Sequence, residues 1–215
     1  GALLRQSASG LRLGGSPFPG VEPAGEGRSS AAVELRGAPA QGPRVAPVTL
    51  ILAANFDSYR SYSFTAAARE VFRRRGERVR LLFKHAPSSV GPATPSETAL
   101  LLAQIQRVAP ARFWAAVDLL CETQAQKVHL SVPEARVALA GAGFDVAALR
   151  AGLADGKAWQ QVAEDLRQLR EANLPQGPLL LLNGRLLASP PGIRGLEELV
   201  QQEEERGLLA RLRGD

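Results

Sequence analysis

Few side chains in this sequence are able to form covalent intermediates or move protons. One cysteine, Cys121, and two histidines, His85 and His129, stand among 215 residues. A lone thiol closes no internal disulfide, and without a CxxC pair or a Cys/His cluster there is no ligand set for structural zinc. Cys121 follows an amphipathic helical pattern and reads as a half-buried structural thiol. His85 closes an apolar run without an identifiable acid–base partner, so it reads as a strand-end histidine whose ring is hydrogen-bonded. His129 lies in a polar stretch before a helix cap. Ser58 and Ser61, in Ser58-Tyr59-Arg60-Ser61, sit where a polar loop gives way to an amphipathic helix, and capping is the first role expected of them. Ser58 lacks the nucleophile elbow of a serine hydrolase. No acidic pair stands apart from surface helix charge, so paired-carboxylate chemistry is unmotivated. This inventory calls for no metal and no cofactor.

Composition narrows the function classes further. Lys and Arg number 26 against 21 Asp and Glu, a net charge of +5, and Lys occurs only at 84, 127 and 157. The Arg residues are scattered, with Arg73-Arg74-Arg75 the densest cluster, and few aromatics interleave with them. That pattern fits a solvated surface, not a nucleic-acid interface. With 45% hydrophobic residues the chain has material for a core, which excludes a wholly disordered protein. No apolar run approaches the ~20 residues of a bilayer span. The sequence starts at Gly1 and contains no Met, which reads as a processed or trimmed product whose export signal, if it had one, would not be visible.

Residues 1–46 are rich in Gly, Pro, Ser and Ala and read as a linker or surface arm, with Val33-Glu34-Leu35 the one short stretch that alternates like an edge strand. Order begins after Pro47. Val48–Ala53 suits a buried strand, a helix is expected from about Ser61 to Arg75, Gly76 stands at its C-cap, and Val79–Phe83 forms a second strand. Strand, helix, strand is a βαβ unit with parallel strands. Helices follow: one over Glu97–Val108 capped by Ser96, one over Arg112–Leu120, one opened by the Ser131-Val132-Pro133-Glu134 capping box and running to Leu139, then Asp145–Leu153 and Ala158–Glu171. Trp114 and Trp159 fall at helical spacing with apolar neighbours and are expected in the core. Leu179–Leu182, Asn183-Gly184 and Arg185–Ala188 make the strongest hairpin signal, and Gly195–Arg206 ends the chain as an amphipathic helix. Two sheet-forming halves around a helical block point to one α/β domain with a helical insertion over about 92–172, because a lone βαβ or ββα unit hardly buries its own core.

That order resembles the thioredoxin fold with the inserted helical domain of DsbA-like thiol–disulfide oxidoreductases. The motifs that carry the resemblance are Gly42-Pro43 with Ala46-Pro47-Val48-Thr49-Leu50, Phe83-Lys84-His85-Ala86-Pro87, Arg112-Phe113-Trp114 with Asp118-Leu119-Leu120, and Gly177-Pro178 with Leu182-Asn183-Gly184-Arg185. They set a domain at 47–208. The resemblance implies a redox Cys-x-x-Cys at the start of the first helix, where this chain has Ser58-Tyr59-Arg60-Ser61, and a buried acid where it has Leu52. A hydroxyl gains nothing comparable to a thiolate from a helix N-terminus and forms no mixed disulfide. The implied protein is therefore redox-inactive. It would bind a peptide or protein partner through Ser58, Tyr59, Arg60, Ser61 and a loop at Gly177-Pro178 in which Pro178 is expected to be cis, and it would work in the periplasm or otherwise outside the cytoplasm. A degenerate structural module of a longer chain is a variant of this reading. The same segment also resembles the Ser-Pro-Tyr-Ser of kappa-class glutathione transferases, which would make Ser58 the holder of a glutathione thiolate and Arg60 its charge partner.

Overall fold

A computed structural model describes residues 37–56, 58–86, 95–125, 127–187 and 189–213. Its centre is strand β2 (Val48–Ala54), buried at every residue except Thr49. β2 runs parallel to β3 (Val79–His85), in register from Val48 opposite Val79 to Ala54 opposite His85, and helix α1 (Tyr59–Arg75) makes the crossover. On its other side β2 pairs antiparallel with β4 (Leu179–Leu182). β5 (Arg185–Leu187) folds back on β4. Asn183 (φ 47°) and Gly184 (φ 79°) supply the two left-handed residues that the Asn-Gly signal promised for a two-residue turn. The Asn183 carboxamide oxygen also accepts the Thr49 amide at 2.8 Å, tying the turn to the sheet.

The far edge differs from expectation. The short strand there is β1 (Ala40–Gln41), antiparallel to β3, while Val33–Leu35 lies outside the described residues. Gly42 makes β1 possible: at φ 84° it lies so close to β3 that a Cβ would stand 2.1 Å from the Val79 carbonyl. The strand order is thus β1-β3-β2-β4-β5. Gly76 does cap α1, but in the right-handed region at φ −56°, not the left-handed cap its type suggested; the turn closes instead through the Arg78 amide on the Arg75 carbonyl.

Between β3 and β4 come α2 (Glu97–Val108), α3 (Phe113–Gln124), α4 (Val132–Gly141), α5 (Val146–Gly152) and α6 (Lys157–Glu171). Ser96 caps α2, and at α4 both arms of the Ser131/Glu134 capping box form. Helix α7 (Gly192–Arg213) is longer at both ends than Gly195–Arg206. One sheet face, with Leu50, Leu52 and Phe83, packs against Phe64 and Val71 of α1, Phe113 and Val117 of α3, and Leu196 and Val200 of α7. The other face, with Ile51, Leu82 and Leu181, packs against Leu169 of α6. Trp114 is buried as expected; Trp159 is not, being 52% exposed, because Ala158, Val162, Leu166 and Leu169 form the inward stripe of α6 and Trp159 is a helical step outside it.

β3 reaches α6 through charge. The Lys84 ammonium and Asp165 carboxylate, 0% and 1% exposed, lie 3.1 Å apart. Lys84 Nζ also donates to Gln168 Oε1 at 2.6 Å, and the other Asp165 oxygen accepts the His85 backbone N–H at 2.9 Å. Every strong donor in this knot has an oxygen to meet it, the condition under which a buried ion pair is tolerated. Asp165→Ala is expected to cost about 3–5 kcal/mol in urea unfolding because it strands a buried ammonium, whereas the double change Lys84→Met with Asp165→Leu costs far less. Equal losses in the two variants would count against the pair as the fastening.

Candidate functional site

The loop after β2 and the first turn of α1 form the candidate site. Ser58 (φ −149°, ψ 152°) is the N-cap residue, and its hydroxyl accepts the Ser61 amide at 3.2 Å. The helix therefore begins at Tyr59 and not at Ser61 as expected. Ser61, in the third helical position, is fully buried, and its Oγ accepts the amides of Asn55 and Phe56, each at 3.0 Å. Both serines are thus engaged with backbone, the outer one half-buried and the inner one fully. Phe56, fully buried at φ 64°, sits in a conformation that bulky residues rarely adopt. Ser61 holds its N–H, and the Leu130 amide holds its carbonyl at 3.2 Å. Gln124, at the end of α3, donates to the Ser58 carbonyl at 2.9 Å.

The remaining expected residues divide into a contact and an outward face. Arg60 Nε donates to the Pro178 carbonyl at 3.2 Å, and its guanidinium lies 5.3 Å from the Phe64 ring centroid. Helix start and Gly177-Pro178 loop therefore meet, although 118 positions separate Arg60 from Pro178. Tyr59 is 59% exposed, with its ring 5.6 Å from that of Tyr62. Gly177 and Pro178 are both buried. The peptide bond before Pro178 is trans, which corrects the expected cis proline: no cis bond occurs among the described residues, and Gly177 at φ 97° turns the chain into β4 using a backbone conformation open to glycine. Leu52 is fully buried in the main core, so the position implied for an acid carries only hydrocarbon.

The other reactive groups lie apart from this surface. Cys121, 7% exposed on α3, has its thiol pushed up to about 12, chiefly by burial and then by the nearby carboxylates of Asp118 and Glu122. It is buried more deeply than the half-buried thiol expected. His85 is fully buried, and its Nε2 lies 3.2 Å from Gln106 Oε1. Because Gln106 Nε2 donates to the Gly37 carbonyl, its oxygen faces the ring and His85 Nε2 carries the proton. His85 Nδ1 has no partner among the described residues, so the ring is only half satisfied. Burial, outweighing the pull of the Asp165 carboxylate, holds the His85 pKa below its ordinary value. Among the described residues no cluster of His, Cys, Asp or Glu side chains is arranged to hold a metal ion.

No protein-family model and no curated protein sequence matches the chain. Solved structures do. Oxidised BdbD from Bacillus subtilis superposes at a TM-score of 0.64 with 17% identity, over 80% of this chain and 95% of that one. A periplasmic thioredoxin-like protein from Salmonella enterica serovar Typhimurium gives 0.63 and 15%, over 82% and 95%. The thiol–disulfide exchange protein alpha-DsbA2 from Wolbachia pipientis gives 0.63 and 13%, over 78% and 87%. This chain has the DsbA-like thioredoxin fold. Helices α2–α6 lie between β3 and β4, and Ser58 and Ser61 stand at the start of α1, the crossover helix of the βαβ unit. A DsbA-like helix start is here braced by residues that sequence reasoning missed. Gln124 carried a signal, a polar residue continuing the Phe113, Val117, Leu120 stripe of α3. Nothing in the sequence marked the left-handed Phe56.

Two consequences are measurable. Ser61→Ala leaves two buried amides without their acceptor and is expected to cost about 2–4 kcal/mol, against about 1 kcal/mol for Ser58→Ala; the reverse order in urea unfolding would contradict the assignment of Ser61 as the inner brace. With its pKa depressed in the fold, His85 stays neutral where an unfolded histidine takes up a proton. Stability is then complete above about pH 6.5 and declines as pH falls below it. His85→Phe should flatten that decline between about pH 6.5 and 5, and an unchanged slope would assign it to other groups.

Proposed function

We propose that this protein is a redox-inactive DsbA-like protein, working outside the cytoplasm, that acts by binding an extended segment of a protein partner. The observation that carries the reading is the state of the two helix-start positions. Each holds a hydroxyl occupied with backbone amides, and the chain's one thiol is elsewhere, buried and pushed up to about 12. At neutral pH such a thiol is protonated, and the thiolate is the species that attacks a disulfide. The partner's surface would comprise Ser58–Ser61 and the Gly177-Pro178 loop, with Tyr59 as its exposed aromatic element. Residues 47–208 would form the working unit, with 1–46 as an arm that reaches the sheet edge through β1. The extracytoplasmic placement rests on likeness to a protein described as periplasmic. No helix among the described residues is long and apolar enough to cross a membrane.

The glutathione reading is less well supported, because Arg60, the charge it needs beside a thiolate at Ser58, has its Nε on the Pro178 carbonyl. Insulin reduction separates the classes. The purified protein is expected to leave insulin reduction by dithiothreitol at its uncatalysed rate, while Ser58→Cys with Ser61→Cys accelerates it. Turnover by the unaltered chain, free of contaminating oxidoreductase, would overturn the proposal. Binding of glutathione at micromolar concentration that is lost in Ser58→Ala would move the protein to the transferase class.

A further inference from the structure

The Pro178 carbonyl lies one residue before β4, whose ladder with β2 begins at the Leu179–Ala53 pair. It belongs to a buried residue beside the helix start, in the loop that the peptide-binding reading assigns to the partner. That carbonyl already has a donor. Arg60 Nε–H, delivered from the first turn of α1, accepts the duty a partner's backbone N–H would perform, and Phe64 beneath the guanidinium gives the side chain a seat in this pose. A guanidinium N–H and a peptide N–H are equivalent donors to one carbonyl lone pair, and a buried carbonyl left without either costs free energy.

We propose that Arg60 is a built-in occupant of the partner-binding surface, closing it in the free protein and leaving the Pro178 carbonyl when an extended segment binds. This rests on the peptide-binding reading above and adds how that surface is regulated. Binding becomes an exchange of one hydrogen bond for another, so the carbonyl is satisfied in both states. Net affinity then comes from what the partner gains beyond the exchange, beginning with the exposed Tyr59 ring beside the displaced arginine. Because Arg60 is itself exposed, its removal leaves the core intact, and far-UV circular dichroism verifies that.

The test uses fluorescein-labelled, carboxymethylated insulin B chain, an unfolded peptide without free thiols, titrated into the full chain and into Arg60→Ala with anisotropy as the readout. The Arg60 Nε–H resonance of the unaltered protein is followed in parallel. Arg60→Ala is expected to bind about five- to tenfold more tightly, the worth of one internal hydrogen bond no longer broken, and the peptide is expected to shift the Arg60 resonance. Equal affinities, or tighter binding by the unaltered chain, would overturn the gate and leave peptide binding standing. No binding by either protein would overturn both.

Discussion

One carboxylate holds the sheet and a helix that covers it in register. Asp165 lies midway along α6, far from β3 in the chain, yet both its oxygens reach that strand: one meets the Lys84 ammonium, the other the His85 backbone. The pair is fully buried, so each charge has surrendered its water and must find the other in one geometry. Apolar packing alone would let α6 slide or rotate over Leu82 and Leu181 at modest cost, since hydrophobic contact is non-directional. The ionic knot removes that freedom. A counterpart works on the opposite face, where Arg69 of α1 is 5% exposed, grips both Asp118 oxygens of α3 at 2.5 and 2.6 Å, and reaches Gln41 of β1. Its guanidinium stacks 4.8 Å from the Trp114 ring. Bidentate pairing and stacking are what arginine offers and lysine does not.

The placement of the helix start follows from these two fastenings. Once α3 is fixed on α1, Gln124 at its end meets the Ser58 carbonyl, and the Leu130 amide, just before α4, meets the Phe56 carbonyl. The helical block between β3 and β4 thereby braces the loop before α1. Phe56 pays for this with a left-handed backbone, worth about 1–3 kcal/mol of strain, which persists because neighbours on both sides dictate it. Tyr59 and Arg60 are what remain facing outward between the two braced serines.

Legibility in the sequence tracked the range of the interaction responsible. Local chemistry was readable: the βαβ unit, the Asn183-Gly184 turn, the Ser96 and Ser131 caps and the order of the inserted helices each follow from a pattern spanning a few residues. Long-range polar partnerships were not. Lys84 is one basic residue in an apolar run, and nothing local tells that Asp165, far along the chain, neutralises it. The same holds for Arg60 and Pro178. Trp159 misled for the opposite reason: its helical spacing with apolar neighbours implied burial, but the inward stripe was already complete without it. The Ala40–Gln41 edge strand was hidden because its cause is a close approach permitted by Gly42, and a glycine in a Gly/Pro-rich stretch gives no sign of which of its neighbours needs it.

The substitution of oxygen for sulfur at positions 58 and 61 changes what the helix start is for. A thiolate there would draw its reactivity from amides left free to stabilise it. Here those amides are bound: one by Ser58 Oγ, and two from the preceding loop by Ser61 Oγ. Hydroxyl oxygen is a far better acceptor than sulfur, so the same backbone geometry that poises a redox centre becomes, with serine, a satisfied cap. Reactivity and rigidity compete for the same N–H groups, and this chain has assigned them to rigidity. What stays available at the surface is shape and donor pattern: an exposed tyrosine beside an arginine held over a loop carbonyl.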